Sequence, residues 1–395
     1  MITLVGKIFD GERIIEQGTV IVENNKIERI VEGIEIPQGS KVIHGNFIMP
    51  GLVDSHLHFF GVEEDNVLSW NIVNEIDAAI RSTRDMERLL RSGFTLVRDL
   101  GSKVAVRLDY LQRRGEILGP TVIASGYSLA ITGGNDNPKD LPIDIAQRLS
   151  YSFYCDSPYE CRKVVRMAVR QGARVKVYAS GAFSQGGKIL PGLALDELKA
   201  IVDESHRFSL KVASHAYGKD AIMNSILAGV DTIEHGLGLD DETASMIKER
   251  GICYIPTLAT YEIPFEVRDP EAKVYREELV KRHFSEDMSI AISHKLKIAT
   301  GTDYVGSKRR PHGRNYREAV LLSKYMSNLE VLRASTSIAS ECLDVKAGYI
   351  REGYRTDLIV LKDDPTKDIE NLKPTNVSYI IKDGRLYTGY GLYQE

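Results

Sequence analysis

The sequence is short of the residues that mark several protein classes. Only four cysteines occur in 395 residues (Cys155, Cys161, Cys253 and Cys342), and no two of them form a CxxC pair. A disulfide framework or a zinc ribbon is therefore not expected, and four buried thiols in a reducing compartment are. No run of 18 apolar residues is present, which excludes a spanning helix and with it a membrane role of that kind. The N-terminal stretch MITLVGKIFDGERI is broken by Lys7 and Asp10, so it lacks the apolar core of a signal peptide, and the expected location is the cytoplasm. Charge of one sign is also missing. The net charge is −4, the pI is near 6.2, and no block of five like charges occurs. Nucleic-acid binding needs concentrated Lys and Arg, so no nucleic-acid partner is expected.

What is present is ordinary globular material, 43% hydrophobic and 27% charged, which excludes a disordered or collagen-like chain. Residues 1–48 fall into short β-rich runs separated by turn chemistry at Asp10-Gly11, Asn24-Asn25 and Gly39. The last fifty residues read the same way, with Leu358–Leu361, Val377–Ile381 and an Asp383-Gly384 turn. The middle differs. Apolar strands are legible at Leu52–Leu57, Phe94–Leu100, Thr121–Ser125, Arg174–Ser180, Leu210–Ala216, Val230–His235, Ile252–Thr257 and Lys297–Asp303. Helical patterns lie between them at Asn74–Arg91, Tyr159–Gln171, Ala194–Arg207, Lys219–Ala228 and Asp241–Arg250. Several of these are followed by glycine where a helix C-terminus favours it: Gly93, Gly172, Gly229 and Gly251.

Eight strands, most of them followed by a helix, predict an α/β fold of the (β/α)8 TIM-barrel type, with a doubly wound open sheet as the rival. The barrel domain is expected at residues 49–345. It is inserted into a β-sandwich built from residues 1–48 and 346–395. Two connections, 130–157 and 258–287, are too long for plain linkers and are expected to cover the active-site face.

The chemistry is expected at the C-terminal ends of the strands. His56 and His58 close the first barrel strand, and residues i and i+2 project to the same face. His215 closes the fifth strand, His235 the sixth and Asp303 the eighth. Five ligand-type residues at equivalent strand ends are hard to explain as core histidines. His206, His283 and His294 fall on predicted helices, His44 in the β domain and His312 in a basic loop, and surface or structural roles are expected for all five. Lys176 lies inside the apolar fourth strand, where an unpaired ammonium is costly. A lysine deprotonated by burial reacts with CO2 to give a carbamate, an anionic ligand able to bridge two metals. Histidine nitrogens with carboxylate-type oxygens suit Zn2+ best, with Mn2+, Co2+ or Fe2+ as substitutes.

These residues resemble the binuclear-metal branch of the amidohydrolase superfamily over nearly the whole chain. The segments Met49-Pro50-Gly51-Leu52-Val53-Asp54, Ile131-Thr132-Gly133-Gly134 and Gly353-Tyr354-Arg355-Thr356-Asp357-Leu358 resemble its imidazolonepropionase-like and Xaa-Pro-dipeptidase-like subgroup. That subgroup often has histidine after the paired glycines, where this chain has Asn135.

The resemblance implies two divalent metals: one held by His56, His58 and Asp303, the other by His215 and His235, with carboxylated Lys176 between them. It further implies attack on a carbonyl by a metal-bridging hydroxide, with Asp303 as the catalytic proton carrier. Tyr217, Arg98 and Asn135 are expected to touch a small-molecule substrate. Arg98 has a competing reading, an ion pair with Asp99 or another barrel carboxylate. The loop cations Lys308, Arg309 and Arg310, with His312, add to an anionic-substrate reading, so the favoured function is cleavage of a dipeptide or N-acyl amino acid. Lactone, organophosphate or cyclic-amide hydrolysis on the same site is the alternative. Deamination fits less well, because the glutamate usual three residues after the strand-five histidine is Gly218 here. A catalytically dead scaffold usually loses ligands, and every ligand position is filled. Relatives of this kind are commonly homo-oligomers.

Overall fold

A computed structural model describes residues 1–183, 189–264 and 269–392. The chain opens with β1 (Ile2–Phe9), β2 (Ile14–Glu23), β3 (Lys26–Glu32) and β4 (Lys41–Pro50). Ten strands follow in the middle: β5 (Leu52–Leu57), β6 (Phe94–Asp99), β7 (Thr121–Ala124), β8 (Ser128–Ala130), β9 (Ser152–Tyr154), β10 (Val175–Tyr178), β11 (Val212–Tyr217), β12 (Thr232–Leu237), β13 (Cys253–Ile255) and β14 (Lys297–Ile298). The C-terminal part adds β15 (Leu358–Leu361), β16 (Val377–Lys382) and β17 (Arg385–Thr388).

Both chain ends share one sheet. Its order is β17-β16-β15-β4-β1-β2-β3, with β4 parallel to β1 and antiparallel to β15. Hydrogen bonding thus joins these strands into a single mixed sheet rather than two separate ones. Alternation along the strands sends successive side chains to opposite faces. Ile43 and Ile48 of β4, with Leu358 and Val360 of β15, enter a small core of this sheet. Phe47, Met49, Ile359 and Leu361 pack instead into the large central core. The terminal sheet is thereby glued along one face to the body that carries the site.

The eight predicted barrel strands all appear, as β5, β6, β7 and β10 to β14, and every pairing among them is parallel. They form two sheets: β5-β6-β7, and β14-β13-β12-β11-β10 extended by β8 and β9. The seams are thin. Arg174 N donates to Ala124 O at one (2.8 Å), and Ser55 N to Thr300 O at the other (2.9 Å). Regular pairing runs through neither seam, so the ladder is not continuously closed.

Helix boundaries follow local chemistry closely. Asn74 caps the helix Glu75–Arg91, Ser157 caps Pro158–Gln171, and Asp240 caps Asp241–Arg250. Gly172, Gly229 and Gly251 end their helices in the left-handed conformation, which glycine reaches without a Cβ penalty. Several strands end earlier than their apolar patterns suggest. The runs Ile252–Thr257 and Lys297–Asp303 shorten to Cys253–Ile255 and Lys297–Ile298, and Thr257 (φ 52°) and Asp303 (φ 55°) beyond them are left-handed. The long connection 130–157 contains β9 and a helix, Ile143–Leu149. The connection 258–287 contains helices Leu258–Tyr261 and Pro270–Arg282, and its residues 265–268 lie outside those described.

The expectation of four free thiols is corrected. Cys155 pairs with Cys161, and Cys253 with Cys342. The second pair joins residues 89 apart in sequence, a proximity created by the packing of the helix Ser337–Cys342 against β5 and β14. Among the described residues no helix is long and apolar enough to cross a membrane.

Candidate active site

The strand ends of the central sheets surround a cavity lined by all six sequence-predicted ligands. His56 and His58 reach it from β5, His215 from β11, His235 from β12, and Asp303 from just beyond β14. The ring centroids of His56 and His235 are 4.9 Å apart, and those of His215 and His235 4.6 Å. Strand register explains the lysine. Tyr178 of β10 pairs with His215, whereas Lys176 pairs with Ala213, so Lys176 starts two residues below the histidine level. Two strand residues are roughly 6.6 Å, a drop that a long side chain spans and a short one does not. Glycine also matters at one point: a Cβ on Gly301 would lie 2.8 Å from His56 Cβ, so the approach of the eighth segment to His56 requires its absence.

Each imidazole is held by its other nitrogen or by its neighbours. His56 Nδ1 lies 2.9 Å from Glu234 Oε2, His58 Nδ1 2.9 Å from Gly101 O, His215 Nε2 3.1 Å from Gly181 O, and His235 Nδ1 2.6 Å from Thr257 Oγ1. Such partners set ring orientation and tautomer. Asp303 Oδ1 then sits 3.0 Å from His58 Nε2 and 3.4 Å from His56 Nε2. His235 (φ 67°), Thr257 and Asp303 all adopt left-handed backbone at neighbouring strand ends. That conformation is uncommon for residues with a Cβ and clusters at functional sites.

Electrostatics favours ligand-ready protonation states. Burial lowers His215 to about 3, with Lys176 adding to the effect, and lowers His235 well below its ordinary value. Both shifts favour the neutral imidazole that metal ligation requires. Burial works to raise the Asp303 carboxyl, but His56 and His58 outweigh it and hold it well below the usual range. Burial lowers Lys176 from its ordinary 10.5, against the pull of Glu234, Asp303 and Asp136. Its side chain is 1% exposed, and its ammonium lies 5.2 Å from the centre of the Tyr178 ring.

Of the predicted substrate contacts, Tyr217 and Asn135 line the cavity and Arg98 does not. Tyr217 receives a hydrogen bond from Tyr261 (2.9 Å). Arg98 is corrected: its guanidinium donates to Glu234 Oε1 (2.6 Å), Thr232 Oγ1 (3.1 Å) and Ser55 O (2.6 Å), beneath His56. The ion-pair reading therefore describes it, with Glu234 rather than Asp99 as partner. The loop cations are corrected as well. Lys308 pairs with Glu63, Arg309 donates to Pro264 O, and Arg310 is buried in an ion pair with Asp65. His312 donates from Nε2 to His58 O (3.0 Å) and props the backbone of that residue. The helical histidines are structural: His206 pairs with Asp231, His294 with Asp241, and His283 with Asp287.

Sequence reasoning passed over several contributors. Asp54 accepts from His56 N, Thr302 N, Thr302 Oγ1 and Asn315 Nδ2, and so ties the first strand to the segment bearing Asp303. Glu234 carries His56 and Arg98; burial would raise its carboxyl, but Arg98 and His56 hold it down at about 2. The available signal was a charged residue inside an otherwise apolar strand, the same signal that Lys176 gave.

A divalent cation fits these residues. His56, His58 and Asp303 offer ligand atoms all within 4.8 Å of one another. His56 Nε2 is buried and, beyond its 3.4 Å approach to Asp303 Oδ1, makes no hydrogen bond among the described residues, the state expected of a nitrogen kept for a metal.

Residues 47–387 match the amidohydrolase family, and the chain belongs to it. Members of this kind are hydrolases acting on carbon–nitrogen amide bonds. The chain is 31% identical to an ochratoxinase of Aspergillus niger, over 87% of this chain and 76% of that protein. The crystal structure of the A. niger ochratoxinase superposes with a TM-score of 0.90 at 27% identity, covering 99% of this chain and 96% of that one. A Xaa-Pro dipeptidase with bound methionine in its active site superposes with a TM-score of 0.86 at 28% identity, covering 98% and 100%.

Proposed function

We propose that the chain is a metal-dependent amide hydrolase acting on dipeptides or N-acyl amino acids. The observation that carries this reading is the convergence of His56, His58 and Asp303 with the neutral His215 and His235 above a buried Lys176. His56, His58 and Asp303 would hold one divalent cation, most suitably Zn2+, and His215 and His235 a second. Lys176, carboxylated by CO2 with loss of a proton, would lie between them. Such cations, when bound, polarise a carbonyl oxygen and lower the pKa of water.

The remaining work falls to the chain. Asp303 accepts the proton of the attacking water at its carboxylate and returns it to the departing nitrogen, so the acyl–nitrogen bond breaks as the acyl–oxygen bond forms. Tyr217 donates to a substrate oxygen. The aromatic walls exclude bulk water. The names of the relatives support an amide substrate, while ester or lactone hydrolysis stays the second reading because the same water attacks both. With Arg98 and the loop cations engaged elsewhere, a substrate carboxylate must find another cation.

The same reading takes β5–β7 and β10–β14 as one barrel interrupted at its two seams, with residues 49–345 inserted between 1–48 and 346–395. Metal analysis tests the core of the proposal. About two divalent cations per chain are expected, lost in His56→Ala and retained in His206→Ala. Equal loss in both variants would remove the assignment.

A further inference from the structure

Two polar atoms of the cavity lining remain after the ligand set is accounted for. Asn135 Oδ1 and Trp70 Nε1 are buried without a hydrogen-bond partner among the described residues, and both residues line the cavity. Asn135 is 5% and Trp70 6% exposed. Buried polar groups are nearly always paired in folded proteins, so an orphaned pair facing one cavity points to a ligand that completes it.

Asp136, next to Asn135, accepts from Tyr151 OH (2.7 Å), Ser128 Oγ (2.9 Å) and Ser152 Oγ (2.8 Å). Of the Asn135 amide, the carbonyl oxygen is the atom left without a partner among the described residues.

The two orphans stand on one continuous wall. Trp70 stacks on Phe60 with centroids 5.0 Å apart and planes 25° from parallel. Phe60 meets Tyr151 at 4.8 Å, and Tyr151 bonds to Asp136, next to Asn135. The wall therefore offers an acceptor, a donor and flat apolar surface between them.

We propose that this wall selects secondary amides: Asn135 Oδ1 accepts the substrate N–H, Trp70 Nε1 donates to a substrate oxygen, and an apolar or aromatic group lies against Phe60 and Tyr151. This rests on the amide-hydrolase reading and narrows it. Tertiary amides such as prolyl bonds, and esters or lactones, carry no hydrogen on the scissile heteroatom and would leave the Asn135 carbonyl unpaired. Sites built to bond a substrate N–H discriminate strongly against analogues lacking it.

The test uses the metal-loaded full chain and two matched pairs. N-acylphenylalanine and its N-methyl derivative are compared by kcat/KM. The arylsulfonyl-phenylalanine N–H and N-methyl forms, which have no acyl carbon to cleave, are compared by calorimetric Kd. The N–H member is expected to win by about tenfold or more in each pair. Asn135→Leu should bring both ratios to near unity at unchanged metal content, and Asn135→Asp should keep the preference. Trp70→Phe should weaken both sulfonamides alike.

Amide turnover with no N–H preference in the wild type overturns the inference and leaves the hydrolase reading standing. Discrimination between the sulfonamides without turnover of any amide does the reverse. Loss of metal in Asn135→Leu would tie the carbonyl to the metal site rather than to the substrate and also overturn the inference. If Asn135→Leu does not fold, the wild-type pairs decide alone.

Discussion

Arg98 and Glu234 form a buried ion pair 2.6 Å long, and the other oxygen of Glu234 holds His56 Nδ1 at 2.9 Å. The arginine thus neutralises the carboxylate that orients a candidate metal ligand. Removing one member of such a pair leaves an uncompensated buried charge, at about 3–5 kcal/mol. Arg98→Ala is expected to lose stability of that order in chemical denaturation, with metal affinity reduced through His56. A variant of wild-type stability with only KM raised would return Arg98 to the substrate.

Lys176 has no room for compromise between its two states. As an ammonium it would repel cations held by the surrounding histidines, and as a carbamate it would bind them. Lys176→Ala is expected to lose bound metal and activity together, and a short carboxylic acid added to the variant should restore part of both. Crystals of fully metallated protein showing a bare amine at Lys176 would contradict this.

Asp303 faces both β5 histidines, and the proposed role divides between ligation and proton transfer. General acid–base catalysis is typically worth about 10²–10⁴-fold. Asp303→Asn should lower kcat within that range while much of the metal stays bound. Near-normal turnover would take Asp303 out of the proton path.

Glu318 provides a pH test away from the ligands. It accepts from Leu258 N (3.0 Å) and Ala259 N (2.7 Å) at the start of the helix bearing Tyr261, which bonds to Tyr217. Burial pushes its carboxyl from 4.5 up to about 8, although those two backbone bonds pull the other way. A raised folded pKa means that the folded state binds the extra proton. Its contribution is full below pH 4.5, declines as the pH rises, and is gone above about pH 8. Within that window the slope approaches about 1.4 kcal/mol per pH unit. Glu318→Gln, which cannot ionise, should flatten the stability profile between pH 5 and 8. An unchanged slope in urea unfolding would show that Glu318 does not titrate there.

The sequence by itself determined the local layer of this protein. Strand and helix periods, capping residues such as Asn74 and Ser157, and glycines past helix ends depend on neighbours a few residues away, and they reappear close to their expected bounds. Parallel strands ending at one face also made the candidate ligands legible, because a histidine at each strand end needs no partner to be noticed. Which polar groups are already spoken for was decided only by the tertiary structure. Arg98 meets a glutamate 136 residues away, and Lys308 meets Glu63 across 245, so cations that looked available to a substrate are consumed inside the fold. The disulfide between Cys253 and Cys342, the left-handed turns at His235, Thr257 and Asp303, and the Asn135 carbonyl left unpaired among the described residues have the same origin. Periodicity is a property of the local chain, whereas pairing, strain and orphaned atoms are properties of contacts between distant segments.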